Sequence, residues 1–215
     1  MMRNDFTPEV SAYVDALFAP EDAALAKIRQ TAESAGLPAI SIGPQEGRLL
    51  QVVAAAVGAR RALEIGTLAG YSGLWIARAL DVGGHLVTIE MDADRAALAR
   101  DLFAAAGMAD RVTVLEGSAL EVLPTLTVEP PFDLVFIDAD KESYPQYLDW
   151  ALKLTHPGAA ILAHNVFLDG EIVRDDDTAR IKAMRAFNER LATDPRLEST
   201  LVPVRDGMSV AIVRG

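Results

Sequence analysis

Val10, Tyr13, Val14, Leu17 and Phe18 recur at the spacing of one helix face, behind a Pro8 that suits a first helical turn. A break falls at Ala19-Pro20. A second helix is predicted from Glu21 to Ala35, stopped by Gly36. Leu37 to Pro44 cannot be regular helix. From Gln45 a third helix carries Leu49, Leu50, Val53, Ala56 and Val57. To about residue 58 the chain thus reads as a helical preamble that packs on or over an α/β core. The plain reading of this segment is packing; the functional one is a lid or a dimer face.

The pattern then changes period. Short apolar runs at Ala62–Ile65, His85–Ile89, Val112–Leu115, Phe132–Ile137 and Ala159–Ala163 read as buried strands. Amphipathic stretches at Tyr71–Leu80, Ala93–Ala106, Leu120–Leu123 and Tyr144–Leu154 read as helices between them. Such alternation predicts a parallel sheet with right-handed crossovers. Val166 to Asp177 is loop-like and acidic, with Asp169, Glu171 and Asp175-Asp176-Asp177, and Thr178 to Ala192 is helical again. Leu197–Pro203 and Met208–Val213, separated by Arg205-Asp206-Gly207, form a hairpin pattern. The expected fold is α/β and Rossmann-like. It has a mostly parallel seven-stranded sheet, an antiparallel C-terminal pair and the helical preamble. Residues 1–58 form that preamble and 59–215 a cofactor-binding core, within one domain.

Composition narrows the function classes. The 215 residues are 51% hydrophobic, enough for a large core and against disorder. A formal net charge of −11 opposes binding to nucleic acid, and the densest basic pair is only Arg60-Arg61. No apolar run is long enough to span a bilayer. The start, Met1-Met2-Arg3-Asn4-Asp5-Phe6, lacks the apolar stretch of a signal peptide. Cysteine is absent, which removes disulfides and thiolate metal sites and fits a cytoplasmic setting.

The chemistry concentrates after the first strand, where Gly66 to Gly70 turn the chain into a helix. Open α/β sheets bind ligands at such strand ends. The phosphate loop needs a Lys that does not follow Gly70, and the order Gly66, Gly70, Gly73 does not fit the dinucleotide fingerprint. Glu64, two residues before Gly66, would repel a phosphate and suits a cationic ligand. A nucleoside carrying an amine and a sulfonium, S-adenosylmethionine, fits better. The plain alternative makes Glu64 a solvated charge and the glycines a turn.

Each parallel strand finishes on a polar residue: Glu64, Glu90, Glu116, Asp138 and His164. Together they would line one edge with carboxylates and one imidazole. Glu90 suits ribose hydroxyls, which alone does not exclude NAD. Asp138, Asp140, His164 and Asn165 offer oxygen and nitrogen donors for a divalent cation; alternatively Asp138 and Asn165 merely cap backbone amides. Lys141 beside a metal would be a candidate general base, or else a surface lysine at a helix start.

Three stretches together carry a resemblance. Leu63-Glu64-Ile65-Gly66-Thr67-Leu68-Ala69-Gly70-Tyr71-Ser72, Val87-Thr88-Ile89-Glu90, and Phe132 to Lys141 are similar to the cation-dependent O-methyltransferases of the caffeoyl-coenzyme A type, and more distantly to catechol O-methyltransferase. Ser41-Ile42-Gly43-Pro44-Gln45-Glu46-Gly47 and the stretch from Asp194-Pro195-Arg196 to Asp206-Gly207 match as well. The resemblance implies a class I methyltransferase fold. It implies that Glu64, Gly66, Thr67 and Ser72 line the methionine part of S-adenosylmethionine, Glu90 holds the ribose, and Ser118-Ala119 flank the adenine. Ile42 would touch the cofactor from the preamble. Asp138 would be a metal ligand near the cofactor, with Asp140 and Tyr147 beside it, and Lys141 the base. The loop Val166–Asp177 and the amino-terminal helices would shape the acceptor pocket and a homodimer.

One departure stands out. The family usually has Asp-Asn after the fifth strand, where this chain has His164-Asn165. The implied metal set is then Asp138, His164 and Asn165. The resemblance implies magnesium, manganese or calcium, but with an imidazole in place of an oxygen ligand magnesium or calcium affinity should fall, and manganese, iron or zinc would be preferred instead. His164 acting as a base without metal is the other reading. The expected function is cation-assisted methyl transfer to a small hydroxylated, catechol-like acceptor. An NAD-dependent oxidoreductase and a nucleoside-binding module without catalysis are the rivals.

Overall fold

The computed structural model describes residues 7–175 and 177–215. The reading of the first six residues as lacking a leader, and Asp176 of the acidic loop, lie outside them. Three helices come first: α1 (Pro8–Phe18), α2 (Ala23–Ser34) and α3 (Pro44–Ala56). Thr7 and Asp22 cap α1 and α2 through side-chain oxygens that accept amides of the first turn.

The core alternates as β1 (Arg61–Ile65), α4 (Tyr71–Ala79), β2 (His85–Glu90), α5 (Ala93–Ala105), β3 (Val112–Glu116), the short α6 (Ala119–Val122), β4 (Phe132–Ile137), α7 (Tyr144–Leu154) and β5 (Thr155–His164). It closes with α8 (Ala179–Thr193), β6 (Leu197–Val202) and β7 (Met208–Val213). The sheet order is β3-β2-β1-β4-β5-β7-β6. The first five strands run parallel, and β7 is antiparallel to both β5 and β6. The order therefore reverses between β1 and β4, and the crevice outside their carboxyl ends is where such sheets take ligands.

Alternation along the strands splits the interior in two. Leu86, Leu134, Phe136 and Leu162 face α3, α4 and α5, while Leu63, Ile65, Val135 and Ile137 face α7 and α8. Leu25 and Ile28 of α2 and Leu50 and Ala54 of α3 join the first of these layers, so part of the preamble is core. Helix α1 differs, since it buries none of its residues.

Two details depart from the pattern. Strand β5 begins at Thr155, four residues before the apolar run, and its pairing with β4 is irregular between Phe132 and Leu134. Within the expected loop, Leu168–Val173 forms a 3-10 stretch interrupted by left-handed Asp169 and Gly170.

Candidate active site

A cavity of about 1060 Å³ opens along the carboxyl edge of the sheet. One wall is the turn after β1, with Gly66, Thr67, Leu68 and Ser72; Glu90, the last residue of β2, and Met91 lie beside it. Ser118 and Ala119 close that side. At the other end lie Asp138, Asp140, Lys141, Tyr147, His164 and Asn165, with Ile40, Ile42, Phe167 and Arg205 over them.

Gly66 shows why the first turn needs its glycine. Its φ is +100°, and a Cβ there would sit 2.1 Å from the backbone oxygen of Asp138. Two hydrogen bonds knit the neighbouring strand ends here. Gly66 N–H donates to Ile89 O at 3.1 Å, and Asp138 N–H donates to Ile65 O at 2.9 Å. The switch point is therefore tied through bare backbone.

Glu90 is 6% exposed. Its Oε2 accepts Leu68 N–H at 2.8 Å and its Oε1 accepts Asp92 N–H at 3.1 Å. Each oxygen keeps a further lone pair, and the side chain is locked at the cavity wall.

Glu64 is placed differently from the sequence expectation. It is fully buried and lies behind the cavity wall rather than in it. Ser72 and Thr88 donate their hydroxyls to it, the latter at 2.7 Å. Ser72 does line the cavity, so Glu64 acts through it. Burial pushes the Glu64 carboxyl up to about 7 against the pull of those two hydroxyls, with Asp138 and Glu90 adding to the rise. The folded state thus holds this proton more tightly than the unfolded chain. An ionised Glu64 costs stability above pH 7, and that cost fades as pH falls from 7 towards 4.5. Glu64→Gln is accordingly expected to gain melting temperature over the parent at about pH 8 and to lose that advantage near about pH 5. Equal differences at both pH values, read by thermal unfolding, would contradict the assignment.

Glu116 also departs from the row of strand ends. It is exposed and does not reach the cavity.

At the far end Lys141 donates from Nζ to Asp138 Oδ1 at 2.9 Å and to Tyr144 Oη at 2.7 Å. Tyr144, fully buried, passes its own hydrogen to the backbone oxygen of His164 at 2.9 Å. Tyr147 donates to Asp140, and burial followed by that contact pushes its phenol above the ordinary range.

His164 is 4% exposed and lies between two carboxylates. Its Nε2 is 2.7 Å from Glu46 Oε1, and its Nδ1 is 3.2 Å from Asp138 Oδ2. Burial lowers its pKa, but the contacts with Asp138 and Glu46 outweigh that and carry it up to about 9. Burial likewise raises Asp138, and the neighbouring Lys141 and His164 more than offset this, leaving it below its ordinary value. Glu46, in the first turn of α3, is fully buried. Its Oε2 accepts Gly43 N–H at 2.5 Å and lies 3.3 Å from Arg205 Nε.

These partners bear on the implied metal set. A metal needs a bare ring nitrogen, and both nitrogens of His164 face carboxylates. Each oxygen of Asp138 already has one protein partner, Lys141 on Oδ1 and His164 on Oδ2. Asn165 turns its amide nitrogen to Asp206 Oδ2 at 2.9 Å. Among the described residues no group of three or more His, Asp or Glu side chains is arranged to hold an ion. As they stand, Asp138, His164 and Asn165 do not fit a divalent cation. The physical reason is that protein cations already neutralise the carboxylate such an ion would need.

Residues 10–214 match the sequence model of a family described as O-methyltransferase. The chain belongs to the O-methyltransferase family. A catechol O-methyltransferase of Niastella koreensis is 39% identical, with 99% of this chain and all of that protein covered. One from Mycobacterium tuberculosis is 41% identical, with 96% of each covered. Among solved structures, an O-methyltransferase of Streptomyces achromogenes involved in tomaymycin synthesis, in complex with SAM, superposes with a TM-score of 0.92 at 39% identity over the whole of both chains. The fold is that of solved O-methyltransferases.

Sequence reasoning missed Glu46 as a site residue, along with Thr88, Tyr144 and Arg205. Glu46 carried one local signal. Gly43-Pro44-Gln45-Glu46 has the spacing of a capping box, which fixes a glutamate on the first turn of a helix.

Proposed function

We propose that the cleft binds S-adenosylmethionine and methylates a hydroxyl of a small catechol-like acceptor. The observation that carries this reading is the continuity of the cavity from Glu90 and Ser118 to Lys141 and His164. A nucleoside end and a proton-accepting end share one chamber. The catechol O-methyltransferases among its relatives support the acceptor class.

The donor site would be built from Ile42, Gly66, Thr67, Ser72, Glu90, Ser118, Ala119, Asp138, Asp140 and Tyr147. Glu90 fits vicinal hydroxyls, because both of its oxygens are fixed by amides and each keeps a free lone pair. Asp140 favours the positive end of the donor, and Glu64, when ionised, adds field from behind Ser72. When bound, S-adenosylmethionine supplies an electrophilic methyl group on a sulfonium. Lys141, once it has passed its own ammonium proton to solvent, takes the proton of the acceptor hydroxyl as that oxygen attacks the methyl group and S-adenosylhomocysteine leaves. Asp138 and Tyr144 hold Nζ in place for that transfer. Ile40, Ile42 and Phe167 exclude water on the acceptor side. No step passes through a divalent cation, because the donor set does not fit one.

Incubation with methyl-labelled donor and a panel of catechols tests the reading. The expected product is a mono-ether carrying the label. Donor binding without transfer to any catechol would sink the acceptor class and leave the cofactor.

The proposal extends to a homodimer in a cytoplasmic setting. On α1, Tyr13, Leu17 and Phe18 are 64%, 57% and 60% exposed, an apolar face that a second copy of the chain would cover. A monomer mass by light scattering would refute it.

A further inference from the structure

Glu46 has no exposed surface and sits on the first turn of α3, at the inner wall of the site. A carboxylate taken this far from water needs a counter-charge, and removing its partner is strongly destabilising. Its Oε2 is anchored by Gly43 N–H and by Arg205, and its Oε1 by His164 Nε2. The opposite nitrogen of the same ring meets Asp138 Oδ2. An imidazole with acceptors on both sides is satisfied only when both nitrogens carry hydrogen, and it then bears a positive charge. Lys141 brings a second positive charge to the other oxygen of Asp138. The end of β5 is therefore a place where protein cations are fixed on protein carboxylates.

We infer that the Glu46–His164–Asp138 bridge fills, with protein contacts, the place a divalent cation would take at this end of the cleft, so that the chain works without added metal. The inference rests on the methyl-transfer reading for what the charge does, and on geometry alone for where it sits. Three points carry it. A cation at Asp138 would have to share an oxygen that the ring or the lysine already holds. Losing the ring would strip Glu46 of its partner on Oε1. The ion would also lie beside two positive groups with too few oxygen ligands, since magnesium and calcium ask for about six or more. His164 is a positioning residue here. It orients Asp138, which in turn holds Lys141.

The test titrates the full chain, stripped with chelator, with manganese by calorimetry, and tracks methyl transfer to catechols in chelator and in magnesium. The parent protein is expected to show no saturable manganese binding and the same turnover in both media. His164→Asp, which restores an oxygen ligand beside Asp138 and Asn165, is expected to gain manganese binding. That variant crowds carboxylates around Glu46, so it is measured together with the double variant Glu46→Gln/His164→Asp, and circular dichroism checks folding. Saturable manganese uptake by the parent, or turnover that collapses in chelator and returns with magnesium, overturns the inference. So does a folded variant of either kind that still binds no manganese. Should no catechol be methylated in any medium, the acceptor reading fails while the manganese titration still decides this one.

Discussion

Lys141→Met is expected to lower kcat by about 10²–10⁴-fold while donor affinity stays close to that of the parent. The ammonium nitrogen is held at 2.9 Å from Asp138 and 2.7 Å from Tyr144, at the acceptor end of the cavity. It has two fixed partners and an open side, which is what a group needs to take a proton from a positioned hydroxyl. Lys141→Arg separates this role from a purely electrostatic one. A guanidinium keeps the charge beside Asp138 but cannot be deprotonated in a protein. Arginine should therefore fail to rescue turnover. Near-parental activity in Lys141→Arg would show that charge, not proton transfer, is what this position provides.

Gly66→Ala should be the most damaging small substitution in the cofactor wall. It forces a side chain into a left-handed backbone and places its Cβ 2.1 Å from the Asp138 carbonyl. Something must move, and what moves is the junction of β1 and β4. The strain and the clash together cost roughly 3 kcal/mol. In a chain of this size that lowers the melting temperature by about 6–12 °C. Gly36→Ala is the control, since Gly36 also has a positive φ, +68°, but nothing within 4 Å of an added Cβ. It should lose only the conformational part, about 1 kcal/mol. Similar small losses for the two variants would mean that the switch point tolerates separation of its strands.

The fold was readable because its signals are local. The change from helical spacing to short apolar runs after residue 61 marks the sheet, and Asp206-Gly207 marks the closing hairpin. The donor end was nearly as legible. Gly66, Ser72, Glu90 and Ser118 lie within a few residues of strand ends, and strand ends share an edge. Glu64 was misjudged because a strand's alternation decides which way a side chain points. Its neighbours Leu63 and Ile65 face α7 and α8, so Glu64 turns to the opposite layer, beneath Ser72. The acceptor end was the least legible. His164 was visible as an odd residue, but its partner Glu46 lies 118 positions earlier, on a helix of the preamble. No spacing rule links an α3 first turn to the end of β5. Without that contact His164 looks like a metal ligand. With it, the residue is a buried cation between two carboxylates.

The most direct test of the account is a calorimetric titration of the chelator-treated protein with S-adenosylmethionine. Saturable binding with one site per chain is expected, weakened in Glu90→Ala by about 10-fold or more through loss of hydrogen bonds to a charged acceptor. No measurable binding of the donor, or binding indifferent to Glu90, would contradict it.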